Sequence, residues 1–381
     1  MEYCSTTPPE LPPELWLEIL SYIPTKPLMR FKSVSRLWLS IIFDPALARL
    51  HCRRPGSFKG LLISNAFGFG RGNLEFCYVN LDDQVKQISR HHEVGQSLQL
   101  KCTYPVNGLV CFYEPGSRGN SYLHNVATQE TLQLPTTKSP AFILRLGFDP
   151  VTKLYKLLKM SIDHHGEYIK DCEILTFGEG QGSVLPSPEW RSIDSPSPPT
   201  EVEFFNTSVC YDGVIYGERW GGSDAICGFH LSKEMFFSFP KPESCEEYER
   251  SRLLHFGPGL TLSTYSYTVV KAQCKVISCH GDLSPEVSSE LKFEFQLMIG
   301  DKYLTVVGIL PDGKIVSCGD LDDNSEQMMI LYVYDPSRKK TENFQLDSAS
   351  LPRPSSSSSI FDSLRLYFQE NIVSLRCLIP H

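Results

Sequence analysis

Several things this sequence lacks narrow what it does. Residues Met1 to Glu10 carry neither a positively charged start nor an apolar run, so no secretory signal is expected there. Nowhere do eighteen apolar residues follow one another, so no membrane-spanning helix is expected. The thirteen cysteines are odd in number, scattered from Cys4 to Cys377, and never spaced as Cys-x-x-Cys. That distribution fits neither a disulfide framework nor a zinc site, and it implies reduced, mostly buried thiols in the cytoplasm or nucleus. A cation excess is missing as well. With 36 Lys/Arg against 44 Asp/Glu the net charge is −8, which speaks against a nucleic-acid partner.

Signs of catalysis are equally scarce. The chain has no Gly-x-Ser-x-Gly elbow, no Gly-x-x-x-x-Gly-Lys phosphate loop and no His-Glu-x-x-His pair. Gly68-x-Gly70-x-Gly72 lacks the spacing and the following helix of a dinucleotide site. Asp163-His164-His165 with Glu167 reads as a solvated loop, and Cys274, Cys279 and His280 read as strand residues. Asn206-Thr207-Ser208 matches a glycosylation acceptor but is idle without secretion. The expectation is therefore no catalytic residue, no cofactor and no metal.

What is present begins with a helical module over residues 10–55. It holds seven basic residues (Lys26, Arg30, Lys32, Arg36, Arg49, Arg53, Arg54) and four acids (Glu10, Glu14, Glu18, Asp44), about +3 on an acidic protein. Pro12 and Pro13 stand where a helix can begin without losing a hydrogen bond. Leu15, Ile19, Leu20 and Ile23 give that helix one apolar face, and Pro24 stops it. Thr25 and Pro27 open a second helix with Leu28, Met29 and Phe31. Ser33 or Ser35 caps a third with Leu37, Trp38, Ile41 and Ile42, ended by Asp44-Pro45. Three short helices cannot bury so much apolar surface among themselves. The surplus faces either the rest of the chain or another protein.

The run Leu11-Pro12-Pro13-Glu14-Leu15, Glu18-Ile19-Leu20-Ser21-Tyr22-Ile23-Pro24 and Leu28-Met29-Arg30-Phe31-Lys32-Ser33-Val34-Ser35-Arg36-Leu37-Trp38 resembles the F-box. It departs from the family pattern at Ile23, where Leu is usual, and at Ser35, where Cys is common. The resemblance implies binding to a Skp-family adaptor and, through it, to a cullin and a RING protein. The positions it carries over are Leu11, Pro12, Leu15, Ile19, Leu20, Pro24, Leu28, Phe31, Val34 and Trp38. Some of these must hold the helices together, and sequence alone does not divide them.

After Pro55 the pattern changes to short apolar strands separated by turns, and it repeats. Strand-plus-turn units centre near residues 83, 128, 180, 233, 283 and 338, at gaps of 45, 52, 53, 50 and 55 residues. Asn107-Gly108, Asp212-Gly213 and Asp312-Gly313 form a second series at about two repeats each, and such pairs mark tight hairpins. A period near fifty with four strands per unit predicts a kelch-like β-propeller of six blades, with residues 364–378 as a closing strand. A two-sheet sandwich is the rival arrangement. Residues 1–9 are expected to be disordered, and the Pro/Ser-rich stretch 350–360 to be a flexible loop.

Within this β-rich domain, residues 56–381, roughly residues 58 to 379 resemble the plant F-box-associated domain at scattered motifs. They are Gly147-Phe148-Asp149-Pro150-x-Thr152, Tyr155-Lys156-Leu157, Asn125-x-x-Thr128, Leu134-Pro135, Trp190-Arg191-Ser192-Ile193, Tyr211-Asp212-Gly213 and Glu370-Asn371-Ile372-Val373-Ser374-Leu375. Val126 replaces the usual Pro. Asn125, Asp149, Pro150 and Thr152 read as turn chemistry. Together the two resemblances imply a non-catalytic substrate-recognition subunit of an SCF-type ubiquitin ligase that recruits an unidentified target protein. Two other readings stay open: an F-box scaffold outside any ligase, and a propeller enzyme or sugar-binding module.

Overall fold

The computed structural model describes residues 11–53, 59–64, 73–79, 86–92, 100–141, 143–162, 169–178, 188–193, 207–218, 225–240, 250–256, 259–266, 271–280, 286–296, 298–299, 302–310, 313–319, 328–347, 364–369 and 371–379. The stretches 1–9 and 350–360, Gly68 to Gly72, Asp163 to Glu167 and Asn206 lie outside the described residues.

Four helices come first: α1 (Pro13–Ser21), α2 (Thr25–Phe31), α3 (Arg36–Ile42) and α4 (Pro45–Arg53). Three were expected. The Asp44-Pro45 pair that ends α3 also starts α4: the Asp44 carboxylate accepts the Ala46 amide at 2.8 Å, and Pro45 takes the first helical position, where no donor is needed. Ser35 caps α3 by accepting the Trp38 amide at 3.1 Å.

Antiparallel sheets follow in chain order. The first holds β1 (Lys59–Ser64), β2 (Asn73–Val79) and β3 (Lys86–His92). The second holds β4 (Lys101–Cys102), β5 (Leu109–Tyr113), β6 (Ser121–Asn125) and β7 (Glu130–Gln133). The third holds β8 (Ile143–Asp149), β9 (Leu154–Ile162), β10 (Ile169–Phe177) and β11 (Arg191–Ser192). The fourth holds β12 (Thr207–Tyr211), β13 (Val214–Glu218), β14 (Ala225–His230) and β15 (Met235–Pro240). The fifth holds β16 (Arg250–Phe256), β17 (Gly259–Ser266), β18 (Lys271–His280) and β19 (Glu286–Gln296). The sixth has a two-residue edge, β20 (Met298–Ile299), beside β21 (Lys302–Ile309), β22 (Ile315–Gly319), β23 (Met328–Asp335) and β24 (Lys340–Asp347).

β25 (Leu364–Gln369) returns to pair with β1, so the first sheet has the order β25-β1-β2-β3. Residues 364–378 are not one strand, however. After β25 the chain turns into a single-turn helix, α5 (Leu375–Leu378). Counting β25 as the first strand of its sheet, successive sheets touch through their leading strands: β8 meets β12, β12 meets β16, β16 meets β21, and β21 meets β25.

The repeat seen in the sequence is the connection between third and fourth strands, since all six expected turn centres fall there. In the three cases whose turn residues are described, Gln129, Glu234 and Lys339 adopt φ of 63°, 57° and 50° at the same position. Two of the three tight hairpins are as expected, with Asn107-Gly108 at φ 48° and 78° and Asp212-Gly213 at 45° and 74°, while Asp312 of the third pair lies outside the described residues. The Asn125 side chain accepts the Ala127 and Thr128 amides. Asp149 likewise accepts the Val151 amide and the Thr152 hydroxyl. Gly147 has a packing reason: a Cβ there would lie 2.8 Å from Leu231 and 3.1 Å from Ile215, both in or next to the following sheet.

Buried thiols fill gaps in the β core. Burial pushes Cys172 and Cys227 up to about 12 and Cys210 up to about 11, so these sulfurs stay protonated. Cys274, Cys279 and His280 all lie on β18.

Candidate adaptor-binding surface

The four helices share a small core of Leu20, Leu28, Ile42, Leu47 and Ala48, with Leu17, Ile23, Met29, Phe31, Trp38 and Ile41 packed around it. Trp38 stacks at a tilt on Trp16 and meets Phe31 edge-on, at ring distances of 5.6 and 5.0 Å. His51 on α4 bonds the Ile23 carbonyl at 3.0 Å and so ties α4 to the end of α1. Burial holds its imidazole below the usual pKa, against the opposite pull of that carbonyl.

This core divides the ten candidate positions. Leu20 and Leu28 are fully buried, so they hold the module together and present no surface. Phe31 and Trp38 are half-buried on the core's flank. Leu11, Pro12, Leu15, Ile19, Pro24 and Val34 are exposed, with Leu15 at 46%, Ile19 at 47% and Val34 at 60%. Leu15, Ile19 and the C-cap Tyr22 recur at steps of four and three and form one stripe along α1, and Leu11 is exposed just ahead of its N-cap Pro12. Leu37 and Leu39 on α3 are exposed as well and were not among the expected positions. Exposed apolar side chains of this size on so small a module make these positions the candidate interaction surface.

Behind that surface the helices are fastened to the β domain by residues 371–379. Ile372 enters the helical core, while Leu375, Leu378 and Ile379 enter the core shared by the second and third sheets; Val373 touches both. Glu130, the first residue of β7, is the hub. One carboxylate oxygen accepts the Ser374 hydroxyl at 2.9 Å and the Leu375 amide at 2.8 Å, and the other pairs with Lys32 of the helical module at 3.2 Å. Lys32 also lies over the Phe43 ring, at 4.5 Å. Asn371 donates to the Asn107 carbonyl, Asn125 donates to the Val373 carbonyl, and the Gly178 amide donates to the Leu378 carbonyl. The domain limits expected from sequence, 10–55 and 56–381, thus conceal a segment that belongs to both parts.

Other motif residues are joints between sheets. The Trp190 indole donates to the Pro135 carbonyl at 2.8 Å. Lys156 donates to the Leu231 carbonyl and pairs with Glu234 at 2.6 Å, and Arg191 bonds the same carboxylate. Burial would raise Glu234, but bonds from Arg191 and Lys156 outweigh it and hold the carboxyl below its usual range. Lys159 is wholly buried, ion-paired with Glu173 and bonded to Ser139. Among the described residues no group of His, Cys, Asp or Glu is arranged to hold a metal ion. No helix among them is long and apolar enough to cross a membrane.

Comparison with known families agrees with this division. Residues 9–50 match the F-box domain, and residues 71–364 match the F-box associated beta propeller domain. The chain is an F-box protein. More particularly, it belongs to the plant F-box proteins that carry a C-terminal F-box-associated domain. An F-box protein of Arabidopsis thaliana is 27% identical over 86% of this chain and 73% of its own length. Another is 25% identical over 61% of this chain and 60% of its own, and an Arabidopsis F-box/kelch-repeat protein is 27% identical over 65% and 62%. The chain spans less than two thirds of the length of several such relatives. Among solved structures, a fungal alcohol oxidase of the AA5 family in complex with copper aligns over 76% of this chain and 63% of its own. At 11% identity and a TM-score of 0.43, that likeness carries no argument.

Proposed function

We propose that this protein is the substrate-recognition subunit of an SCF-type cullin-RING ubiquitin ligase. Its helical module docks on a Skp-family adaptor, and its β domain recruits a target protein in the cytoplasm or nucleus. The chain does no chemistry itself; it positions the target. The observation that carries the reading is the uncovered apolar surface of Leu11, Leu15, Ile19 and Val34 on a module whose family is the F-box. We also read the six sheets as the blades of one ring, closed where β25 joins β1. That pairing fastens the latest strand of the domain to its earliest and leaves no open first sheet.

The test is Leu15→Glu with Ile19→Glu in the full chain. Each side chain is about half exposed, so docking buries its remaining apolar area, worth about 1 kcal/mol apiece. A buried, unpaired carboxylate adds several kcal/mol more. Co-purification with the adaptor is expected to vanish while the melting of the β domain is unchanged. Wild-type recovery of the adaptor by this variant would refute the proposal. Transfer of ubiquitin to a captured target, in the reconstituted complex, distinguishes a ligase subunit from an F-box scaffold outside any ligase.

A further inference from the structure

No helix of the N-terminal module is long enough to stand alone. α1 and α4 have nine residues each, and α2 and α3 have seven. Helices shorter than about twelve residues are marginal in water without packing. Their order therefore rests on one small core to which every helix contributes: Leu20 from α1, Leu28 from α2, Ile42 from α3, and Leu47 and Ala48 from α4. The remaining buried member is Ile372, 1% exposed, which comes from beyond β25. Ile19 and Leu20 are neighbours on α1. One is 47% exposed and the other lies against this core, so whatever shifts Leu20 also shifts the candidate docking surface.

The segment that brings Ile372 is held by a closed circuit of contacts. Lys32 of α2 pairs with Glu130 of β7, and Glu130 accepts from Ser374 and Leu375. The Cys377 thiol on α5 donates to the carbonyl of Phe43, the C-cap of α3, at 3.6 Å. Lys32 lies over the Phe43 ring and closes the circuit.

The same segment depends on the β domain. Leu375, Leu378 and Ile379 sit in the core of the second and third sheets. β25 ends at Gln369, which pairs with Lys59 of β1. At about 3.5 Å per residue, Ile372 stays within roughly 10 Å of that end. Seating Ile372 and joining β25 to β1 are thus made together.

We infer that residues 371–379 position the helical module for the adaptor: the docking surface is competent only while Ile372 is seated, and adaptor binding in turn holds the segment in place. The inference rests on the adaptor-docking reading and adds a condition to it. A chain whose first sheet is not closed by β25 is a poor partner for the adaptor, so the complex selects receptors with a finished β domain. Coupling of this kind is reciprocal and is readable from either end.

The experiment uses the full chain and a recombinant Skp-family adaptor. In the wild type, saturating adaptor is expected to raise the exchange protection of the Cys377 and Ile379 amides about tenfold. Ile379 is 5% exposed and packs between sheets, so the adaptor does not shield it directly. The Leu231 amide, bonded to the Gly213 carbonyl in the fourth sheet, is the control and is expected to be unchanged. No gain at Cys377 and Ile379, or an equal gain at Leu231, would overturn the inference. Ile372→Asp places a carboxylate in the apolar core. It is expected to release the segment and weaken adaptor binding about tenfold or more. Ile372→Val keeps most of the packing and is expected to stay within about threefold. Wild-type affinity in an Ile372→Asp chain whose Cys377 and Ile379 amides have lost protection would also overturn the inference, as would protection kept in that variant. Should Ile372→Asp fail to fold, the wild-type exchange decides alone. A wild type that binds no adaptor removes the proposed function and this inference with it. Adaptor binding without the exchange response removes the inference alone.

Discussion

Replacing Glu130 by alanine undocks the segment that joins the two parts of the molecule. Ser374 is almost completely buried, so its hydroxyl and the Leu375 amide both lose a carboxylate acceptor that water replaces poorly. Hydrogen bonds to a charged group are worth about 1.5–3 kcal/mol each. The Lys32 pair, with both side chains about a quarter exposed, adds less than about 1 kcal/mol. Opening of residues 371–379 therefore becomes easier by about 3–6 kcal/mol, or roughly two to four decades in its equilibrium constant. Native-state amide exchange reads this at Cys377 and Ile379, whose amides bond the Ser374 and Leu375 carbonyls at 3.1 and 3.0 Å. Glu130→Gln keeps an oxygen for both donors and loses the charge, so a cost near 1 kcal/mol is expected. Unchanged protection of Cys377 and Ile379 in Glu130→Ala would refute the role given to Glu130.

Other expectations follow from single contacts. Glu173→Ala strands the buried Lys159 ammonium and should cost about 3–5 kcal/mol in urea unfolding, whereas Lys159→Met with Glu173→Leu should be near neutral; equal losses in both would show that packing, not charge, matters there. Gly147→Ala forces a methyl against Leu231 and Ile215 and should cost about 1–3 kcal/mol in the same assay, with no loss refuting the close approach. His51 has a lowered folded-state pKa, so the unfolded chain takes up the proton first as pH falls below about 6.5. Stability of the helical module should be constant above that value and decline beneath it, and His51→Phe should flatten the decline; an identical slope in the variant would assign it elsewhere.

Much of the β domain was legible because its turns are local chemistry. Asn107-Gly108 and Asp212-Gly213 state their backbone angles in two residues, and Asn125 and Asp149 organise their turns through their own side chains. The fifty-residue spacing then follows from one such turn per sheet. Helix α4 is hidden in the sequence although Asp44 and Pro45 announce it, because the same pair both ends α3 and starts α4. The division of the adaptor-binding candidates was not legible: Leu15 and Leu20 belong to one apolar pattern, and only the packing of α4 and Ile372 decides which is covered. Glu130 gives no local sign of its role. It meets Lys32, 98 residues away, and Ser374, 244 residues away, and nothing in its own neighbourhood encodes either.

The pairing of β25 with β1 also sets a schedule. About 300 residues separate the two strands, and chains grow at roughly 5–20 residues per second. β1 thus leaves the ribosome about 15–60 seconds before its partner exists, with one edge unpaired throughout. The helices wait as long for Ile372, which completes their core. The finishing joints of both parts are made together, so a nascent chain can hold most of its sheets and still have neither a closed first sheet nor a seated helical module.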